Sequence, residues 1–180
     1  MYNYNINTII GRFDMETSKN IILIGMPGAG KSTIGVLLAK ALGMDFVDTD
    51  IIIQQRTGRL LQDIIDNDGI DAFLRVEEEV LSSLEFTNSI VATGGSAVYS
   101  EKAMTALKKN GRAVYIALPY EEVERRITNI TTRGIVLRSG NTLKDAYNER
   151  VPLYEKFADL TVDCSGKDIE SSMRELVKKL

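Results

Sequence analysis

The chain contains no histidine. That absence excludes Ser-His-Asp and Cys-His catalysis, and any zinc site built on imidazole. Cysteine is nearly absent too. Cys164 stands alone in 180 residues, so neither an intramolecular disulfide nor a multi-thiolate metal site can form. A basic excess is also missing: Lys plus Arg is 22 against 25 for Asp plus Glu, a formal charge of −3. Nucleic-acid binders carry basic surfaces, so no nucleic-acid partner is expected. No stretch approaches the roughly 18 apolar residues of a membrane span. Met1 to Asn20 lack the apolar core of a signal peptide. These absences predict a cytoplasmic protein with no membrane partner. Its chemistry is left to carboxylates, Lys, Arg, hydroxyls and backbone amides.

What is present is ordinary in amount and specific in arrangement. Hydrophobic residues make up 44% and charged residues 26%, typical of a globular chain. At about 150 residues per domain, 180 residues predict one domain. Residues 20–180 read as that domain, and the Asn-rich residues 1–19 as a loosely ordered extension.

Short apolar runs alternate with longer amphipathic segments. Ile21 to Ile24 reads as a buried strand ending at Gly25. Lys31 to Leu42 has helical spacing and a stop at Gly43. Phe46-Val47 is a minimal strand. Ile51–Arg56, Leu60–Asp66 and Asp71–Leu84 read as helices broken at Gly58 and Gly69. Strands are expected at Ser89–Ala92, Ala113–Leu118 and Leu160–Asp163. Helices are expected at Lys102–Lys109, Tyr120–Ile127, Thr142–Phe157 and from Asp168 onward. This alternation predicts a parallel sheet covered on both faces. Thr128 to Asn141 is polar and long for a connection, so it reads as a lid.

Four features carry chemistry. Gly25-Met26-Pro27-Gly28-Ala29-Gly30-Lys31-Ser32 fits G-x-x-x-x-G-K-[ST], after a strand and opening a helix. Its glycines let backbone N–H groups surround phosphate oxygens at a helix N-terminus. Lys31 is placed to reach the β- and γ-phosphates, and the Ser32 hydroxyl to ligate Mg²⁺. Asp48 and Asp50 follow the second strand, where the ligand crevice of a parallel sheet lies. They suit a metal and a substrate hydroxyl; capping of the next helix is the alternative, the weaker one beside a phosphate loop. Thr93-Gly94-Gly95-Ser96 ends the third strand, either for close ligand approach or as a tight turn. Arg125, Arg126, Arg133, Arg138 and Arg150 lie on or around the lid. Their planar forks suit phosphate and carboxylate, although any one arginine also suits a solvated face.

In this order the motifs resemble shikimate kinases of the nucleoside-monophosphate-kinase-like P-loop group. The resemblance spans roughly residues 20 to 180. It is specific in Asp48-Thr49-Asp50 followed by Gln55-Arg56-Thr57-Gly58-Arg59, in Gly69, Phe73 and Glu77, in Gly94-Gly95, in the Arg126-to-Arg133 spacing, and in Arg150-Val151-Pro152-Leu153-Tyr154. It implies a P-loop NTPase fold: a five-stranded parallel sheet flanked by helices, with a lid near 128–141 and a substrate-binding helical region. It implies ATP as co-substrate, bound by Gly28, Ala29, Gly30, Lys31, Ser32 and Thr33, with Arg126 against the adenine. Ser32 and Asp48 would hold Mg²⁺. Lys31, Asp50 and Arg133 would be catalytic, Asp50 orienting or deprotonating the acceptor hydroxyl. Phe73, Gly94, Gly95 and Arg150 would join Asp50 in binding a small hydroxy acid. The chain would act as a monomer.

Four positions depart from the family pattern. Leu74 stands where an arginine normally binds the substrate carboxylate, and Ile70 where a glutamate is usual. Ser96 replaces the third glycine and Gly134 the proline after the lid arginine. The leading expectation is shikimate 3-phosphate formation from ATP and shikimate. Ile70 and Leu74 motivate a competing one, a related kinase acting on another hydroxylated metabolite. A nucleotide-binding regulatory domain without turnover is a third, opposed by the presence of Lys31, Ser32, Asp48, Asp50 and Arg133.

Overall fold

The structure, a computed structural model, describes residues 20–127 and 135–180. The extension at 1–19, the first half of the expected lid and Arg133 fall outside these residues.

Five parallel strands form one sheet in the order β2-β3-β1-β4-β5. They are β1 (Asn20–Ile24), β2 (Asp45–Asp48), β3 (Ser89–Ala92), β4 (Gly111–Ala117) and β5 (Leu160–Asp163). β1 is central: Ile21 to Leu23 pair with β3 on one side, and all five residues pair with β4 on the other. Every β1 residue is buried, as an apolar run covered on both faces requires. The helices are α1 (Lys31–Leu42), α2 (Thr49–Thr57), α3 (Leu61–Asp68), α4 (Ile70–Ser82), α5 (Glu101–Lys108), α6 (Tyr120–Arg126), α7 (Leu143–Phe157) and α8 (Ile169–Lys179). A 3₁₀ turn, Ala97–Tyr99, follows β3.

Each expected strand and helix forms, with ends displaced by a few residues. The largest extension has a local cause. The Asp48 carboxylate accepts from the Asp50 N–H at 3.0 Å, which starts α2 at Thr49 and puts Asp50 in its first turn. Thr142 and Asp145 cap α7 reciprocally.

In the described half of the expected lid, Ile135 and Val136 are buried at 7% and 3% exposure. Its apolar residues are too few for a periodic pattern, yet they reach the core beside α7.

A candidate phosphoryl-transfer site

The strand order reverses between β1 and β3, and the loops after these strands meet at the carboxyl edge of the sheet. This is the crevice where parallel sheets bind ligands. A cavity of about 600 Å³ opens there.

One wall is the turn from β1 into α1. Gly28 and Gly30 have φ of +78° and +92°, values that side chains with a Cβ resist. The Lys31 ammonium, 7% exposed, donates to the Gly25 and Met26 carbonyls at 2.8 and 2.9 Å. Burial lowers its pKa, and Asp50 and Asp48 partly offset this. Gly28, Gly30, Lys31, Ser32 and Thr33 all line the cavity. Ala29 is fully buried instead, and its N–H donates to the Met26 carbonyl at 3.1 Å.

Asp48 and Asp50 diverge in role. The Ser32 hydroxyl donates to Asp48 Oδ2 at 2.7 Å, while Asp48 Oδ1 caps α2. Capping and proximity to Ser32 therefore coexist in one carboxylate. Two hard oxygen donors this close suit Mg²⁺, which uses one or two carboxylates plus substrate phosphates. Among the described residues no cluster of three or more acidic, Cys or His ligands forms a cage, as that mode of binding requires none. Asp50 lines the cavity. Its Oδ1 is buried without a hydrogen-bond partner. Burial and then Asp48 raise the Asp50 pKa, while Lys31 pulls it back.

The other end of the cavity is lined by Leu61, Phe73, Glu77, Gly94, Gly95, Ser96, Ile135, Val136 and Arg150. Arg150 is 1% exposed. Its Nε donates to the Tyr99 hydroxyl at 3.0 Å, and its guanidinium lies 5.2 Å from the Tyr99 ring centre. Its Nη2 donates to the Val136 carbonyl. Phe73 is buried at 1% exposure.

The two glycines after β3 answer the question the sequence left open. The Gly94 N–H donates to the Thr49 hydroxyl at 3.3 Å, and the Gly95 carbonyl accepts from Tyr154 at 2.6 Å. A Cβ on Gly95 would fall 2.6 Å from Pro27 Cδ. These contacts belong to a tight turn packed on the phosphate loop, so the glycines are needed for packing within the site. They line the cavity as well.

Arg126 lines the cavity beside Lys167, Asp168 and Ile169. It donates to Glu122 at 2.9 Å and to the Lys167 carbonyl at 3.4 Å. The loop between β5 and α8 thus completes the nucleotide end. Sequence reasoning missed it, although its position after the fifth strand at the crevice edge was a usable signal. It also assigned no role to Glu77. Arg125 is 75% exposed on its side chain, a solvated charge outside the cavity.

Ile70 and Leu74 are both in α4, and neither lines this cavity. Ile70 lies instead along a separate cavity of about 460 Å³, with Asp68, Arg75 and Arg138.

A parallel sheet, a phosphate loop with its buried lysine, an Asp–Ser oxygen pair and an unpartnered carboxylate define a P-loop kinase of small molecules. The shikimate kinase family profile matches residues 27–180. Shikimate kinase of Thermobifida fusca is 37% identical over 168 residues, covering 92% of this chain and 97% of the relative. That of Thiobacillus denitrificans is 38% identical over 170 residues, covering 92% of each. The structure of shikimate kinase from Acinetobacter baumannii in complex with shikimate superposes with a TM-score of 0.78 at 33% identity, over 92% of each chain. The chain belongs to the shikimate kinase family. A Sinorhizobium meliloti gluconokinase, 18% identical with a TM-score of 0.51, covers 90% of this chain and 91% of its own, and shares the fold.

Proposed function

We propose that the protein transfers the γ-phosphoryl group of ATP to a hydroxyl of shikimate, as a cytoplasmic monomer built on one kinase domain from residue 20 onward. The observation that supports this reading is one cavity lined by Asp50, by the phosphate-loop lysine, Lys31, and by the buried Arg150. A molecule bearing both a hydroxyl and a carboxylate matches that pair of groups: the hydroxyl to Asp50, the carboxylate to Arg150.

Phosphoryl transfer asks the protein to position groups and neutralise charge. The amides of the β1–α1 turn and the Lys31 ammonium hold the phosphates. The Asp50 carboxylate orients the acceptor hydroxyl and accepts its proton as the new P–O bond forms and the bond to the ADP oxygen breaks. Arg150 holds the acceptor carboxylate by charge-assisted hydrogen bonds. Arg126 flanks the adenine end. Ser32 and Asp48 would hold Mg²⁺, which when bound neutralises phosphate charge. Arg133 keeps the role its resemblance implies, stabilising charge on the transferred group.

The test is a coupled ADP-release assay across hydroxy acids. Turnover with shikimate, lost in Lys31→Ala by about 10²–10³-fold, is expected. Turnover of another hydroxy compound with none on shikimate would replace this reading by the competing one.

A further inference from the structure

Glu77 has no place in the chemistry above, and its surroundings are unusual for a carboxyl group. It is 3% exposed, it lines the cavity, and its Oε1 is buried without a hydrogen-bond partner. A Cβ built on Gly94 would lie 2.7 Å from Glu77 Oε1 and 2.8 Å from Asp50 Oδ1. Two unpartnered carboxyl oxygens thus converge on one backbone position at the acceptor end.

The charges around Glu77 are few. Asp50 reaches it from α2 and Arg150 from α7, and the Ser96 hydroxyl bonds to its carboxyl group. On its own helix the residues three, four and seven positions earlier are Leu74, Phe73 and Ile70, all apolar. At the surface Arg59 pairs with Asp68 and Lys102 with Glu78, and Arg56 of α2 donates to the Ser83 hydroxyl. Two carboxylates sharing a buried site resist ionising together, so their protons leave at different pH. Asp50 has Lys31 to hold its charge. Glu77 is pushed up to about 8, chiefly by burial.

Resting on the reading of this cavity as a hydroxy-acid site, we propose that Glu77 is a specificity-determining residue. It stands uncharged in the acceptor site and donates a hydrogen bond from its carboxyl O–H to an acceptor oxygen. By withholding a negative charge, it leaves the Arg150 guanidinium to the acceptor carboxylate. A neutral glutamic acid thereby does the work of a second cation, because it removes a repulsion that a second cation would otherwise offset.

The test compares the acceptor KM, at saturating ATP, of the wild type, Glu77→Gln and Glu77→Leu. Gln keeps a neutral donor and Leu keeps neutrality alone, so Leu should raise the acceptor KM about tenfold more than Gln. The ATP KM should move less than about threefold in both. Ionisation of Glu77 should raise the wild-type acceptor KM above about pH 8. Because Lys31 is common to both proteins, the wild-type-to-Gln ratio of KM isolates Glu77. That ratio should climb several-fold between pH 7 and 9.5. A flat ratio, or Gln weakening the acceptor as much as Leu, overturns the proposal. If Leu does not fold, as judged by a thermal melt, the pH ratio decides alone. If shikimate is not turned over by the wild type, the proposed function falls. The same ratio, measured with the hydroxy acid returned by the acceptor screen, then decides the role of Glu77 independently.

Discussion

The Tyr154 hydroxyl donates to the Gly95 carbonyl at 2.6 Å, tying helix α7 to the turn after β3. Tyr154 is fully buried and stacks on Tyr115, ring centres 5.1 Å apart. Arg150 lies one helical turn before it. One hydrogen bond therefore ties the turn that borders Asp50 to the helix that carries Arg150. Tyr154→Phe removes the bond and leaves a buried carbonyl unsatisfied, at a cost of roughly 1–3 kcal/mol. At this chain length each kcal/mol lowers Tm by about 2–4 °C. On the proposed reading the acceptor spans both elements, so its KM should rise more than the ATP KM. Equal changes in the two would refute that coupling.

Gly94→Ala should damage catalysis more than nucleotide binding. The added methyl would meet Glu77 and Asp50 oxygens at 2.7 and 2.8 Å, closer than van der Waals contact permits. One of the two carboxyls must turn, and Asp50 is the one to which the proposed function assigns the acceptor hydroxyl. Overpacking of this kind costs about 1–3 kcal/mol of stability. A fall in kcat of tenfold or more is expected from misplacing the group that orients the hydroxyl. Steady-state kinetics with unchanged kcat would show that Asp50 is not held by this contact.

Asp48→Asn separates the two functions of one carboxylate. Asparagine still caps helices, so the melting temperature should change little. It supplies one neutral oxygen in place of a carboxylate beside Ser32. The Mg²⁺ concentration needed for half-maximal rate should rise about tenfold or more, and excess Mg²⁺ should restore part of the rate. A large loss of Tm with no change in Mg²⁺ dependence would assign Asp48 to capping alone.

Much of this site was legible in the sequence because its parts are local. The phosphate loop needs eight adjacent residues and a flanking strand and helix, all readable from residues 21–42. Asp48 and Asp50 were legible for the same reason, being placed by a strand end. The long-range features were not. Nothing local in Ile135-Val136 marks them as cavity wall, because their burial depends on α7 and Arg150 folding against them. Leu74 shows the limit in the other direction. Helical spacing correctly made Ile70 and Leu74 neighbours, but it could not say that neither would line the cavity. Glu77 was recognised as part of a motif, yet its raised pKa depends first on burial and then on Ser96, Asp50 and Arg150, which are distant in sequence and meet only in the fold.

Stability should fall as pH rises through the neutral range, and Glu77 supplies the sign. Its pKa is raised from 4.5 to about 8 in the folded chain. The unfolded chain releases this proton above about pH 4.5, whereas the folded chain keeps it up to about pH 8. Between these values the folded state binds more protons, so stability declines with pH and levels off above the folded value. Each pKa unit corresponds to about 1.4 kcal/mol, which makes the full shift an upper limit of several kcal/mol. Glu77→Gln has no proton to lose, so its stability should be nearly independent of pH from this source. Denaturant unfolding at pH 5, 6.5 and 8 should show the variant gaining on the wild type at each step. A constant difference across that range would mean that Glu77 is ionised in the folded protein. The uncharged carboxyl in the acceptor site would then be lost along with the pH trend.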